Sequence, residues 1–168
     1  EGSPWGVNIQ YLQESQKLGT AGALSLLTNK SGTEPIIVTN GDILTKVSYS
    51  QLLDFHHDHE AQATMCVREY DFQVPYGVVV LNQEKISSIV EKPVQTQYIN
   101  AGIYVLSPSM LKLVPKDRFF DMTDLFHLLL KNNKNVIAFP LREYWIDIGR
   151  SEDLEKANHE FGEIFENQ

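Results

Sequence analysis

Pro35-Ile36-Ile37-Val38-Thr39-Asn40-Gly41-Asp42 is the stretch on which the reading of this chain turns. It is an apolar strand that stops abruptly at a glycine and an acid. In an open α/β sheet, ligands sit beyond the carboxyl ends of the strands, so Asp42 is directed at substrate rather than core. Taken alone, Asn40-Gly41-Asp42 is equally a type I′ turn.

A second strand, far along the chain, ends in the same way. Trp145-Ile146-Asp147-Ile148-Gly149 carries an acid between Trp and Ile, which is expected to be part-buried and therefore to need a cation or hydrogen bonds. Two strand-end carboxylates can converge on a hard divalent cation that also grips phosphate oxygens. The chemistry this suggests is phosphoryl or nucleotidyl transfer.

Strand and helix signals alternate around the first of these strands. Val7 to Leu12 alternates apolar and polar residues and reads as a strand. Gly19-Thr20 opens a helix with Ala23, Leu24 and Leu27 on one face, stopped between Asn29 and Gly32. Ser48 with Gln51 forms a capping box for a helix carrying Tyr49, Leu52, Leu53 and His56, and Ala63 to Val67 is the next strand. This repetition predicts a mostly parallel sheet covered on both faces. Tyr76–Leu81 and Lys85–Val90 read as a β-hairpin, and Tyr98–Leu106 as a further strand. Ser107-Pro108 starts a short helix, and Asp121 caps another with Leu125, Phe126, Leu128 and Leu129 inward. Val136–Phe139 and Tyr144–Ile146 are the last strands. Ser151 begins a final helix whose buried side is expected to hold Leu154, Ala157, Phe161 and Ile164.

The 168 residues, 42% of them hydrophobic, suffice for one domain with a sizeable core. No apolar run approaches the length of a membrane span, and the first residues show no secretory signal. The single cysteine, Cys66, excludes an internal disulfide and fits a reducing, cytoplasmic setting; its apolar neighbours make it a packing residue. A net charge of −8 with no basic stripe argues against nucleic-acid binding. His56-His57-Asp58-His59 invites a zinc reading, but groups within one helical turn point in different directions and cannot close a tetrahedral site.

Other stretches are bland one by one. Leu18-Gly19-Thr20-Ala21-Gly22-Ala23-Leu24 offers a close backbone approach and helix-start N–H donors, or simply a tight turn. Val90-Glu91-Lys92-Pro93 reads as a salt-bridging turn, and the glycine of Asn100-Ala101-Gly102-Ile103-Tyr104 as a bulge or a close ligand approach.

Their order is far more specific. Leu-Gly-Thr-Ala-Gly-Ala, strand-Asn-Gly-Asp, Tyr-Gly, Glu-Lys-Pro, Asn-Ala-Gly-Ile-Tyr and Trp-x-Asp-x-Gly together resemble the sugar-1-phosphate nucleotidyltransferases, closest to the mannose-1-phosphate guanylyltransferase-like group, from Tyr11 to Asn158. The resemblance implies a Rossmann-like (GT-A-type) α/β fold: a mixed, mostly parallel sheet flanked by helices, with a small β-hairpin subregion. The Gly-rich phosphate loop with which this family opens is absent, so residues 1–168 are expected to be the C-terminal two-thirds of one catalytic domain, inactive alone.

By the same resemblance, Asp42 and Asp147 would hold Mg²⁺, and Lys92 would meet the sugar phosphate. Gly77, Glu91 and Asn100 would bind the sugar. Glu14, Gly19 and Thr20 would line the nucleotide. Glu14 favours GTP: relatives that read uracil or thymine tend to carry Gln near this position, whereas a carboxylate accepts from the two adjacent donors of guanine. The expected partners are thus an NTP, with GTP favoured, and a sugar 1-phosphate, and an exposed sheet edge favours a homodimer. A GT-A-type glycosyltransferase and a non-catalytic sugar-nucleotide-binding regulatory subunit are the alternatives. Leu44 stands where a glycosyltransferase Asp-x-Asp would have its second acid.

Overall fold

Residues 2–27 and 32–166 are described by a computed structural model; the expected helix stop at Asn29 lies outside them. In chain order the elements are α1 (Gly19–Gly22), β1 (Ile36–Thr39), β2 (Ile43–Thr45), α2 (Tyr49–Asp58), β3 (Ala63–Gln73), β4 (Val78–Asn82), β5 (Lys85–Val90), β6 (Val94–Leu106), α3 (Met122–Lys131), β7 (Val136–Pro140), β8 (Trp145–Asp147) and α4 (Ser151–Phe161). The predicted punctuation holds. The Ser48 hydroxyl accepts the Gln51 N–H and starts α2. Asp121 and Asp124 form a reciprocal capping box on α3. Gln83, at φ 55°, turns β4 into β5.

The main sheet has the order β1-β6-β3-β7. β3 and β7 pair in parallel, and β6 is antiparallel to both β1 and β3. Three of the four strands therefore run one way, with β6 reversed between them. Period-two alternation along β6 builds a core on each face. Tyr104 and Leu106 join Leu24, Met122, Leu125 and Leu129 under α1 and α3. Ala101, Ile103 and Val105 join Leu52, Cys66 and Leu141 under α2. Burial pushes the Cys66 thiol up to about 12, as suits a packing residue. β2 pairs with β8, and β4 with β5, as separate two-stranded ladders.

Two expectations need correcting. Val7 to Leu12 forms no strand; its apolar side chains are exposed. Alternation marks a face but supplies no neighbouring strand, and no ladder among the described residues takes this segment. On α4 only Ala157 is buried, while Leu154 and Phe161 are exposed and Ile164, beyond the helix, is half-buried. This helix meets the rest of the fold mainly at β8, too narrow a surface to cover its whole apolar stripe. Among the described residues, no helix is long and apolar enough to cross a membrane.

Candidate active site

Asp147 ends β8, and Asp42 stands in the turn just ahead of its ladder partner β2, three residues past the end of β1. Ile43 lies opposite Asp147, and the Ile148 N–H donates to the Asp42 carbonyl at 2.8 Å. Asp42 and Asp147 therefore occupy adjacent rungs. Opposed Cα atoms in such a ladder are roughly 4.5–5.5 Å apart, so the backbone segments that carry the two acids run side by side. Asp147 is exposed rather than part-buried, because Trp145 and Ile146 take the inner rungs and the strand ends at the acid. Asp42 is exposed as well. No group of three or more His, Cys, Asp or Glu side chains converges on a metal position among the described residues. Two hard, accessible carboxylates fit Mg²⁺, which commonly takes one or two from protein and completes its octahedron with water and substrate phosphate.

The ladder is tied to the main sheet at a bulge in β6. Register with β3 shifts between Met65 and Val67, opposite Ala101–Ile103, and Gly102 adopts φ 71°. The Asn40 N–H donates to the Gly102 carbonyl at 2.9 Å, and the Trp145 indole N–H to the Ala101 carbonyl at 2.8 Å. Asn100 braces the bulge from within: its Oδ1 accepts the Gly102 N–H at 3.0 Å, and its Nδ2 donates to the Tyr104 hydroxyl at 2.7 Å. The glycine expected to mark either a bulge or a ligand approach marks a bulge.

The hairpin brings a second set together. Val78 opposes Val90, so Gly77 and Glu91 follow at the open end, where a Cβ on Gly77 would lie 3.0 Å from the Glu91 carboxylate. Lys92 has φ 44°, a left-handed conformation that side chains avoid. Its carbonyl accepts from Gln73 Nε2 at 3.3 Å, and the Pro93 carbonyl accepts the Val74 N–H at 3.0 Å. The exposed Glu91 and Lys92 side chains thus project from a constrained turn.

Near the N-terminus, Gly19 and Thr20 form an internal clasp. Gly19 adopts φ 80°, and a Cβ there would lie 2.7 Å from the Phe120 carbonyl oxygen. The Thr20 N–H and hydroxyl both donate to Asp121 Oδ1, at 2.9 and 3.2 Å, and the same hydroxyl accepts the Met122 N–H. The close backbone approach here is to the chain itself. Glu14 accepts the Leu18 N–H through one carboxylate oxygen at 3.4 Å.

The buried histidine of α2 is a packing residue. His56 is buried, with Nδ1 2.8 Å from the Thr64 hydroxyl and Nε2 3.4 Å from that of Ser107; burial lowers its pKa, with His57 adding to the shift. A cavity of about 840 Å³ beside it, lined by Glu34, His57 and Lys112, lies at the other end of the strands from the aspartates, next to the start of β1 and the end of β6. Sequence reading passed over Asn40 and Trp145 as working groups in their own right, and also Arg68. The Arg68 guanidinium sits 5.9 Å over the Trp145 ring, and its Nη1 donates to the Glu143 carbonyl at 2.8 Å. For Asn40 and Trp145 the only sequence signal was nearness to the two acids; Arg68, on β3, lies far from both in sequence.

Residues 1–163 match the protein family described as "Nucleotidyl transferase". A mannose-1-phosphate guanyltransferase from Debaryomyces hansenii is 35% identical over 157 residues, covering 89% of this chain and 43% of that protein. A probable mannose-1-phosphate guanylyltransferase from Oryza sativa is also 35% identical, covering 90% of this chain and 44% of its own length. The chain thus spans less than half the length of these curated relatives. Among solved structures, HddC from Yersinia pseudotuberculosis complexed with GMP-PN superposes with a TM-score of 0.64 at 31% identity, covering 88% of this chain and 64% of that one.

Proposed function

Because this chain belongs to the nucleotidyl transferase family, we propose that it carries part of the active site for transfer of a nucleoside monophosphate from an NTP to a sugar 1-phosphate. One observation carries the reading: two accessible acids on adjacent rungs of a single ladder, Asp42 and Asp147. Mg²⁺ held by this pair would supply charge neutralisation for the phosphate oxygens. Lys92, a compact cation, holds the phosphate of the sugar 1-phosphate so that its oxygen attacks the α-phosphorus in line as pyrophosphate leaves. Glu91 accepts from sugar hydroxyls, and Gly77 leaves room for the ring beside that carboxylate. Asn100 acts by holding the β6 bulge against the same space. Gly19 and Thr20 shape the nucleotide end through the clasp on Asp121.

GTP is the favoured nucleotide. Glu14 offers an acceptor-only carboxylate, which complements the N1–H and 2-amino donors of guanine. The guanyltransferase names of the relatives, and the GMP-PN bound to HddC, point the same way.

The test is pyrophosphate release from GTP and mannose 1-phosphate by the full-length protein, with and without Mg²⁺. Asp42→Asn and Asp147→Asn should each lower kcat by about 10²–10³, the usual scale for losing one preorganised electrostatic contact to the transition state. Wild-type turnover in either variant, or turnover indifferent to Mg²⁺, would overturn the proposal.

A further inference from the structure

We infer that Trp145 is a positioning residue for the metal-binding pair, acting together with the β6 bulge to set the spacing between Asp42 and Asp147. This rests on the metal reading above and goes beyond it. The bulge presents two consecutive carbonyls, and each is gripped by one of the two acid-bearing segments. Gly102 O takes the Asn40 N–H, two residues before Asp42; Ala101 O takes the Trp145 indole N–H, two residues before Asp147. The spacing between the acids is therefore referred to two successive peptide units of β6 that meet at Gly102. That junction is itself fixed, by the left-handed φ of Gly102 and by the Asn100 side chain on its N–H.

The indole is held from its other side. Arg68 lies over the ring and also fastens the Glu143 carbonyl, just ahead of β8. Ile43, the partner of Asp147 in the ladder, packs toward the same glycine: its Cδ1 is 3.4 Å from where a Gly102 Cβ would lie. Both strands of the ladder thus dock on the bulge, and only the Trp145 contact is made by a replaceable side-chain donor. Losing a polar group that orients a metal ligand typically costs 10–100-fold in metal affinity.

Trp145→Phe removes the N–H and keeps an aromatic ring under Arg68. The readout is binding of Mn²⁺ alone to the full-length protein, followed by water-proton relaxation, alongside steady-state kinetics. The Mn²⁺ dissociation constant should rise roughly tenfold and kcat should fall, with KM for the sugar 1-phosphate unchanged and circular dichroism intact. Arg68→Met, which frees the ring without touching the indole donor, should shift Mn²⁺ affinity in the same direction by a smaller factor; it carries the test if Trp145→Phe fails to fold. Asp42→Asn and Asp147→Asn separate the two levels of the argument. If they abolish Mn²⁺ binding while the Trp145 and Arg68 variants bind like wild type, the positioning role is wrong and the metal pair stands. If the aspartate variants bind Mn²⁺ normally, the metal reading falls and this inference falls with it.

Discussion

Gly19→Ala tests whether the clasp between α1 and the start of α3 is a principal fastening of the fold. Gly19 sits at φ 80°, where a non-glycine residue costs roughly 1–2 kcal/mol. The added Cβ would also lie 2.7 Å from the Phe120 carbonyl oxygen and 2.8 Å from Asp121 Oδ1. The first of these is backbone, so it cannot swing aside as a side chain would. Relief requires α1 and the Phe120–Asp121 segment to separate. That stretches the Ala21 N–H bond to Phe120 O at 3.0 Å and the Thr20 N–H bond to Asp121 at 2.9 Å. A neutral hydrogen bond contributes about 0.5–1.5 kcal/mol and one to a charged acceptor about 1.5–3. Strain and lost bonds together give an expected destabilisation of about 3–6 kcal/mol, a large share of the 5–15 typical of a whole domain. At an m value of about 2 kcal/mol/M, the urea midpoint read by circular dichroism should fall by roughly 1.5–3 M. Gly41→Ala is the comparison: nothing lies within 4 Å of its Cβ and its φ is not left-handed, so its midpoint should hold or rise slightly. A Gly19→Ala loss under about 1 kcal/mol would show that the chain relaxes around the clasp and would refute the reasoning.

Three further outcomes are expected. Glu14→Gln should weaken GTP use relative to UTP or dTTP by about one to two powers of ten, because an unmet polar contact costs about 1–3 kcal/mol; competition kinetics on the full-length protein would read it. His56 has a folded pKa below its unfolded value of about 6.5, so the unfolded chain binds the extra proton first. Its contribution to stability is complete above that pH and declines as pH falls from there toward the folded value, so the slope of Tm against pH below about 6.5 should flatten in His56→Gln. Cys66, buried and with its thiol pushed up to about 12, should react with thiol reagents at neutral pH only as fast as the protein opens, which timed alkylation in rising urea would measure.

The parts of the fold that local chemistry dictates were legible. Ser48 and Asp121 announce helices through caps, the turn at Gln83 declares a hairpin, and strand ends are marked where apolar runs stop, at Thr39 just ahead of Asn40-Gly41-Asp42 and at Asp147. What depends on a distant partner was not. Val7 to Leu12 carries the alternation of a strand without a ladder to join. The reversal of β6 between β1 and β3 leaves no trace in its apolar pattern, since a strand buried on both faces reads the same in either direction. Likewise Gly19-Thr20 looks like an open anion cradle in sequence, because nothing local reveals that Phe120 and Asp121, about a hundred residues on, will fill it. The indole bond of Trp145 was hidden for the same reason: its Ala101 acceptor lies on another strand.

Up to Val67, β3 has a neighbour on each edge; from Arg68 to Gln73 it has only β6. That outer length is a two-stranded beam with Tyr70, Phe72, Val94 and Tyr98 in water, and the Gln73–Lys92 and Val74–Pro93 bonds weld the hairpin to its tip. The aspartates, by contrast, are bolted to the four-stranded slab through the β6 bulge. A beam of two strands is far more compliant than a slab of four packed on both sides. In the proposed site the softest coordinate is therefore expected to be the separation of Lys92 from Asp147, which bending of the tip would change while the Asp42 and Asp147 segments stay in register.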